Sequence, residues 1–489
     1  MIVRTDMLIN VGPSETRVAI LEDGKLVELW ADRAGRRHMA GDVYAGVVQT
    51  VLPGMQAAFV DLGPDRAGFL HASDMADQTM ANGDTLPASP RIGSLVEGQR
   101  ILVQVLRDPV GAKGPRLTAI VALPGRYAVL VPRGTAVGVS RRIEDEDERE
   151  RLHSIGTQVV PRDMGLIIRT MAAGIDSGPL AADVRGLLRQ WEVISERYAT
   201  AKAPSLLHRA EGVALAAVRD LFGAHVDSLL VDDRAVHHAI MKQVEETSPA
   251  LRDRVELYEQ EMPLFECLGV ERDVEHMTSR YVRLPRGGSL VIDQTEALVV
   301  IDVNTGSYVG GMDQEDTVFQ TNLDAADEIV RQLRLRDLGG IIVADFIDME
   351  EQAHRDALVA RLRTALARDR ARSSVLPVSE LGIVEMTRER VRSGVAQMMV
   401  ETCPVCRGVG KVVALSSAAL SLDRRLAGIR AAQDEDRVRI EVCPELDAHL
   451  ARVWGSRWDQ IRAEIEVLRV DGESGFRREG FRVSRRLDN

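Results

Sequence analysis

The sequence predicts a multidomain chain of mixed α+β and α/β class, and three observations carry that reading. From Gly41 to about Thr118 the text consists of short β-type runs broken by Gly and Pro, the pattern of a small barrel. From roughly Leu180 to Gln260 long Ala-, Leu-, Arg- and Glu-rich stretches are helical in pattern. Ala297-Leu298-Val299-Val300-Ile301 and Gly340-Ile341-Ile342-Val343-Ala344 then read as two buried strands. Between them Val318, Asn322, Ala325, Ile329 and Leu333 recur at helical spacing, which makes a β-α-β unit.

In the barrel segment the strands are expected at Val43-Tyr44-Ala45-Gly46-Val47-Val48, residues 56–62, Ala67-Gly68-Phe69-Leu70 and residues 100–105, with a turn at Gly63-Pro64-Asp65-Arg66. A polar loop from Asp74 to Pro90 interrupts the module as a surface excursion. After Ser140-Arg141-Arg142-Ile143, the acidic run of residues 144–148 reads as the solvated start of a helix, where negative charge suits the dipole. Beyond Cys406 come a Gly-containing connector, a helix near residues 418–432 and a small mixed domain. No repeat with a period of about 20–50 residues is present.

At 489 residues the chain amounts to roughly three domains of about 150 each. Its 45% hydrophobic share is ample for several cores and excludes wholesale disorder. Lys and Arg number 62 against 74 Asp and Glu, a net charge of −12. That balance excludes a uniformly basic nucleic-acid coat but leaves room for a local basic groove. No apolar run reaches the roughly 18 residues that span a bilayer, and the opening Met1-Ile2-Val3-Arg4-Thr5-Asp6 lacks the features of a signal peptide. Four cysteines are too few for a disulfide framework. A reducing, cytoplasmic setting fits.

Both predicted strands of the β-α-β unit run into a carboxylate, Asp302 and Asp345. In open α/β sheets ligands bind beyond the carboxyl ends of the strands, and parallel neighbours lie about 4.8 Å apart. Two like charges that close repel, and a hard cation such as Mg²⁺ relieves the repulsion while keeping positions for water and phosphate oxygens. Asn304, two residues on, is placed to orient a carboxylate or a water. The plainer alternative is that each Asp caps a turn.

Cys403-Pro404-Val405-Cys406 with Gly408 and Gly410 is a C-x-x-C knuckle, half of a tetrahedral Zn²⁺ site. Either Cys267 and Cys443 complete the set, or two copies of the chain each donate a pair. A redox dithiol is the rival reading, but it expects a thioredoxin-like context. Cys267 and Cys443 themselves read as small buried hydrophobes.

Phe59 and Phe69 fall on consecutive barrel strands with His71, Arg107 and Lys113 nearby. Aromatics on a barrel face flanked by cations form a platform for single-stranded nucleic acid. The alternative, that a ring points into the core, stays open at this stage. Arg169-Thr170 and Asp369-Arg370-Ala371-Arg372 offer phosphate-binding donors. The Gly-rich pieces match no Walker loop, and no Ser or Cys nucleophile motif occurs.

Ala57-Ala58-Phe59-Val60-Asp61-Leu62-Gly63, Gly68-Phe69-Leu70, Ser140-Arg141-Arg142-Ile143, Val300-Ile301-Asp302-Val303-Asn304-Thr305-Gly306, Ala344-Asp345-Phe346 and Cys403-Pro404-Val405-Cys406, in this order, resemble the bacterial ribonuclease E/G family across essentially the whole chain. Because the chain stops shortly after the small domain, the resemblance is expected to lie with the shorter, G-type branch or with a compact E-type enzyme. The resemblance implies a ribonuclease-H-like subdomain from residues 1–36 and 215–278 and an OB-type RNA-binding domain over 37–118. It further implies a 5′-sensor domain over 119–214 and a deoxyribonuclease-I-like catalytic subdomain over 279–400. A zinc link over 401–414 and a small domain over 415–489 complete it.

The activity it implies is Mg²⁺-dependent endonucleolytic cleavage of single-stranded, A/U-rich RNA, with in-line attack by a metal-activated water leaving a 5′-phosphate and a 3′-hydroxyl. By the same resemblance Asp302 and Asp345 are the Mg²⁺ ligands, supported by Asn304. Arg169, Thr170 and Arg372, with backbone groups of Gly125 and Val129, line a pocket for a 5′-monophosphate. Phe59, Phe69, Arg107 and Lys113 grip RNA. Cys403 and Cys406 share one Zn²⁺ between two protomers, which gives a homodimer or a dimer of dimers. Ribosomal RNA 5′-end maturation and messenger decay are the expected roles. Three departures stand out: Leu62 where the family often has an aromatic, which removes a stacking partner; Arg107 where Lys is frequent; and a longer loop at residues 74–90. A non-catalytic RNA-binding or assembly protein, and a metal phosphodiesterase acting on small nucleotides, are the competing readings.

Overall fold

The computed structural model describes residues 3–33, 38–63, 67–75, 92–109, 114–306, 314–390, 394–406, 408–431, 438–469 and 481–485. The chain divides into two units, Met1–Ala396 and Gln397–Asn489. Lys113 and most of the 74–90 loop lie outside the described residues.

Among its described residues the first unit carries four sheets. In the first of them, Thr5–Val11, Glu15–Glu22 and Lys25–Arg33 form an antiparallel meander, and Ser228–Val231 and Val255–Leu257 add in parallel beside Thr5–Val11. Met7, Ile9, Val18 and Ile20 bury one face of it in a core shared with helices Val213–Leu221 and Arg234–Thr247. The stretch read as helical in pattern from about Leu180 to Gln260 therefore also contains strands. Ser205–His208, Ser228–Val231 and Val255–Leu257 are strands of three or four residues. They are too short to set a period of their own, and distant partners decide their state.

The barrel forms where the β-type runs predict it, from Val43–Leu52, Ala57–Asp61, Gly68–His71, Arg100–Arg107 and Arg116–Thr118. Pairing of Val43–Leu52 with both Ala57–Asp61 and Arg100–Arg107 closes it. A four-stranded sheet, Val137–Val139, Gly165–Ile168, Ala128–Val131 and Leu123–Pro124, packs on helices Glu146–Val159 and Ser177–Thr200. Asp145 caps the first of these helices by accepting from the N–H groups of Asp147 and Glu148.

The fourth sheet has six strands in the order Tyr281–Arg283, Ser289–Gln294, Leu298–Asn304, Gly340–Asp345, Ile383–Arg388 and Ser373–Val375. Leu298–Asn304 and Gly340–Asp345 are parallel neighbours joined through helix Gln314–Leu335, as the β-α-β reading requires. Burial on both faces, however, is not what the structure shows. Along Leu298–Asn304, residues 299, 301 and 303 are buried while 300, 302 and 304 are exposed. Helices Gln314–Leu335 and Gln352–Leu366 share a core with the inner face, and the outer face keeps Val300 and Ile341 in solvent. The carboxylates consequently stand on that open face, on the two central strands of the sheet.

The second unit is a three-stranded sheet, Glu466–Arg469, Val438–Val442 and Phe481–Arg485, with helices Leu415–Ala431, Pro444–Trp454 and Ser456–Glu464. Its buried Asp447 accepts from the Trp458 indole and pairs with Arg462 and Arg469, which satisfies a charge that would otherwise be costly in a core.

Candidate functional site

Asp302 and Asp345 are in direct register on the parallel strands and both are exposed, so their side chains share one face on strands about 4.8 Å apart. The Asn304 side-chain amide donates to Asp302 Oδ2 at 2.7 Å. One oxygen of Asp302 is thereby engaged by the neighbouring amide. Among the described residues neither carboxylate makes an ion pair, and no group of three or more His, Cys, Asp or Glu side chains gathers there. Two uncompensated carboxylates side by side fit a hard cation that takes one or two carboxylates and fills the rest of its shell with oxygen.

Two local features hold the pair. A Cβ on Gly306 would meet the Gly287 carbonyl oxygen at 1.5 Å, so only glycine lets the chain leave Asn304 past that turn. Asn322, fully buried, donates to the Ile347 carbonyl at 2.8 Å and accepts from the Ile347 N–H at 3.1 Å, pinning the backbone just beyond Asp345. In the sequence Asn322 stands only as one member of the helical period. Read as part of the stripe alone, it gave no hint of the clamp.

On the barrel, Phe59 pairs with Phe69, Phe69 with Arg116, and Arg116 with Arg107. The two rings meet edge to face at 5.9 Å, and Phe59 is 36% exposed while its neighbours Ala58 and Val60 are buried. The rings therefore lie outside the barrel core, in one transverse row with two guanidinium groups. Arg116, held by Asp74 at 2.9 Å, was missed because its strand is only three residues long. Leu62, by contrast, is buried in the barrel core; that position faces inward and is not a lost stacking surface.

The third cluster surrounds Arg169. Its guanidinium donates to the Gly125 carbonyl at 2.6 Å and to Asp220 at 2.7 Å, and its N–H bonds the Tyr127 carbonyl. Thr170 Oγ1 hydrogen-bonds Ser140 Oγ at 3.0 Å, and Val129 pairs with Ile167 on the adjoining strands. Burial pushes the Asp220 carboxyl up, but Arg219 and Arg169 outweigh it and hold it below the ordinary range. Arg372 is exposed in a turn pinned by Asp369, which accepts from Ala371 N–H and pairs with Arg388. Among the described residues no hydrogen bond or ion pair joins Arg372 to Arg169.

In the second unit Cys403 is exposed and Cys406 half-buried. N–H groups of Gly410 and Gly408 point at the Cys406 sulfur and lower its thiol pKa, with Cys403 adding to the effect. Both glycines have positive φ, 87° at Gly408 and 74° at Gly410, a conformation glycine adopts freely. A stabilised thiolate is what a metal ligand needs. Cys443 is buried as expected, whereas Cys267 is exposed at the C-terminal end of the short helix Leu264–Cys267. That helix buries Leu264 and Phe265 instead.

Residues 122–391 match the Ribonuclease E/G family, and residues 37–118 match the S1 RNA binding domain. Ribonuclease G of Escherichia coli K12 is 40% identical over 475 residues, covering 95% of this chain and 97% of the relative. The chain belongs to the ribonuclease E/G family. Ribonuclease G of Haemophilus influenzae is 36% identical over 449 residues, covering 91% of each chain. Ribonuclease E of the same organism is 39% identical over 423 residues, covering 86% of this chain but 45% of the relative. The S1 match coincides with the barrel that carries the Phe59–Phe69 row, and the family match spans both the Arg169 cluster and the carboxylate pair.

Within this ribonuclease E/G chain, Asp183 is a residue that no motif announced. Its two carboxylate oxygens accept from the N–H groups of Arg126, Tyr127 and Ala128 at 3.2, 2.8 and 3.1 Å, and it sits against Gly125. Burial holds its carboxyl above the ordinary range, and the three N–H donors offset that only in part. Asp183→Asn places amide hydrogens against that donor cluster and is expected to destabilise the first unit by about 1–3 kcal/mol. The check is the denaturation midpoint of the full chain.

Proposed function

We propose that this chain is a divalent-metal-dependent endoribonuclease that cuts single-stranded, A/U-rich RNA and leaves 5′-phosphate and 3′-hydroxyl ends. That it is an endoribonuclease and binds RNA rests on its family and S1 matches. The observation that carries the metal reading is the in-register placement of Asp302 and Asp345 on an open face. Those two side chains would hold Mg²⁺, which when bound supplies an activated water and neutralises charge on the phosphoryl oxygens. Asn304 keeps the Asp302 carboxylate in one orientation. The exposed outer face would receive the polynucleotide, and the aromatic–guanidinium row of the barrel would supply stacking and charge for an unpaired strand.

Arg169, with Thr170, Arg372 and the backbone at Gly125 and Val129, would receive a 5′-monophosphate. Asp220 currently occupies part of the Arg169 fork, so a bound phosphate exchanges with or adds to that pair. Cys403 and Cys406 would provide half of a Zn²⁺ site completed by a second protomer, giving a homodimer or a dimer of dimers. The sheet of residues 5–33 with 228–257 would be the ribonuclease-H-like subdomain, and the six-stranded sheet the deoxyribonuclease-I-like one. On this reading the enzyme acts in the cytoplasm on ribosomal RNA precursors and messengers.

Incubating the purified chain with a short A/U-rich, 5′-phosphorylated RNA, with Mg²⁺ or with EDTA, tests the reading. Cleavage with Mg²⁺ and none with EDTA is expected. RNA binding without cleavage would favour a non-catalytic RNA-binding protein, and equal turnover of dinucleotides would favour a small-nucleotide phosphodiesterase. Arg169→Ala is expected to bring the rates on 5′-phosphorylated and 5′-hydroxylated substrates together, chiefly by slowing the former. An unchanged ratio of the two rates removes the sensor role.

A further inference from the structure

Tyr281 opens the edge strand Tyr281–Arg283 and is 63% exposed. Pairing runs Tyr281 to Val291, Val291 to Asp302, Asp302 to Asp345 and Asp345 to Ile383. Residues paired across neighbouring strands project from the same face of a sheet. One transverse row on the open face therefore reads tyrosine, valine, carboxylate, carboxylate, isoleucine. Two strand spacings, about 10 Å, separate the backbone of Tyr281 from that of Asp302. Val291, between them, is partly exposed and too small to cover the interval.

Two guanidinium groups stand near the ring, one paired with a carboxylate and one exposed. The Arg280 guanidinium lies 5.9 Å from the ring centroid and is locked by both oxygens of Asp293. Arg283, the next outward position on the strand, is exposed and stands in register with Ser289 and Asn304. A large ring held in water has no packing reason to be there, and one beside positive charge and in line with two acids is equipped for a ligand that is both flat and anionic. A nucleobase with its phosphate is such a ligand.

We propose that Tyr281 is a base-stacking subsite of the cleavage centre. It holds a nucleobase flanking the scissile phosphodiester, and Arg283 faces the phosphate of that nucleotide. The assignment rests on the reading of Asp302 and Asp345 as the cleavage centre. Stacking on an aromatic is indifferent to base identity, so the subsite adds affinity and register for unpaired RNA in general. A base paired in a duplex is already stacked between its neighbours and cannot lie on the ring.

The test is steady-state cleavage of a short A/U-rich single-stranded RNA with one cut site by the wild type, Tyr281→Phe and Tyr281→Ala. A parallel set of substrates carries a single abasic nucleotide at each position flanking the cut. Tyr281→Ala is expected to raise KM roughly tenfold with kcat within about twofold, because the stack is present in ground and transition states alike. Tyr281→Phe is expected to match the wild type. One abasic position is expected to cost the wild type a similar factor and to cost Tyr281→Ala almost nothing. Equal KM for Tyr281→Ala and wild type, or equal abasic penalties in both, would overturn the subsite while leaving the cleavage centre standing. A wild type that does not cut with Mg²⁺ would overturn the cleavage centre and the subsite together.

Discussion

Asp345→Asn is expected to slow cleavage by roughly a thousandfold or more, the scale on which removing a group that acts on the transition state is felt. RNA binding should stay within about twofold of wild type. The substitution keeps the shape of the side chain and its place in the row, since Asp345 is exposed and its chain neighbours Ala344 and Phe346 carry the packing. What it removes is one of two negative charges facing each other across parallel strands. Asp302→Asn should do the same. The double variant should be little worse than either single one, because both carboxylates serve one ion and their contributions are not additive. Cleavage of a 5′-phosphorylated A/U-rich RNA measured alongside fluorescence-anisotropy binding checks both halves. Wild-type cutting by either variant would refute the assignment, and a matching loss of binding would mean that the substitution damaged the surface rather than the chemistry.

Cys403→Ser combined with Cys406→Ser is expected to take bound zinc from about one ion per two chains to none and to shift the assembly to smaller species. Two thiolates are half of a tetrahedral set, so an ion held tightly by this knuckle needs ligands from elsewhere. The other two cysteines differ in kind: Cys443 is buried in the core of the second unit and Cys267 lies in the first unit. Metal analysis and light scattering on the same samples decide the matter. Zinc lost with mass unchanged would leave a structural knuckle that takes no part in assembly. Zinc retained would exclude these sulfurs as ligands.

Much of the site was legible in the text because it lies in contiguous motifs. Asp302, Asn304 and Asp345 sit at the ends of the strongest apolar runs in the chain, and the helical period between them dictates parallel, adjacent strands. The knuckle glycines are likewise local. The exposure of Val300 and Ile341 was not legible. A continuous apolar run looks the same whether helices cover one face of a sheet or both, and here they cover one. Arg116, Asp183, Asp220 and Tyr281 were hidden for a related reason. Each acquires its place only through a partner far away in sequence: Asp183 lies 55–57 residues from the N–H groups it gathers, and Tyr281 matters only because two strand pairings put it level with Asp302. The short strands Ser205–His208, Ser228–Val231 and Val255–Leu257 vanished into a helical stretch because tertiary pairing, not propensity, decides three or four residues.

Mn²⁺ binding to the RNA-free protein, followed by electron paramagnetic resonance, addresses the metal centre without relying on turnover. Wild type should take up about one Mn²⁺ per chain that Mg²⁺ displaces, and the Asp302→Asn, Asp345→Asn double variant, with unchanged far-UV circular dichroism, should take up none at that site. Equal Mn²⁺ uptake by both proteins would show that the ion is held elsewhere and that the paired acids are not its ligands.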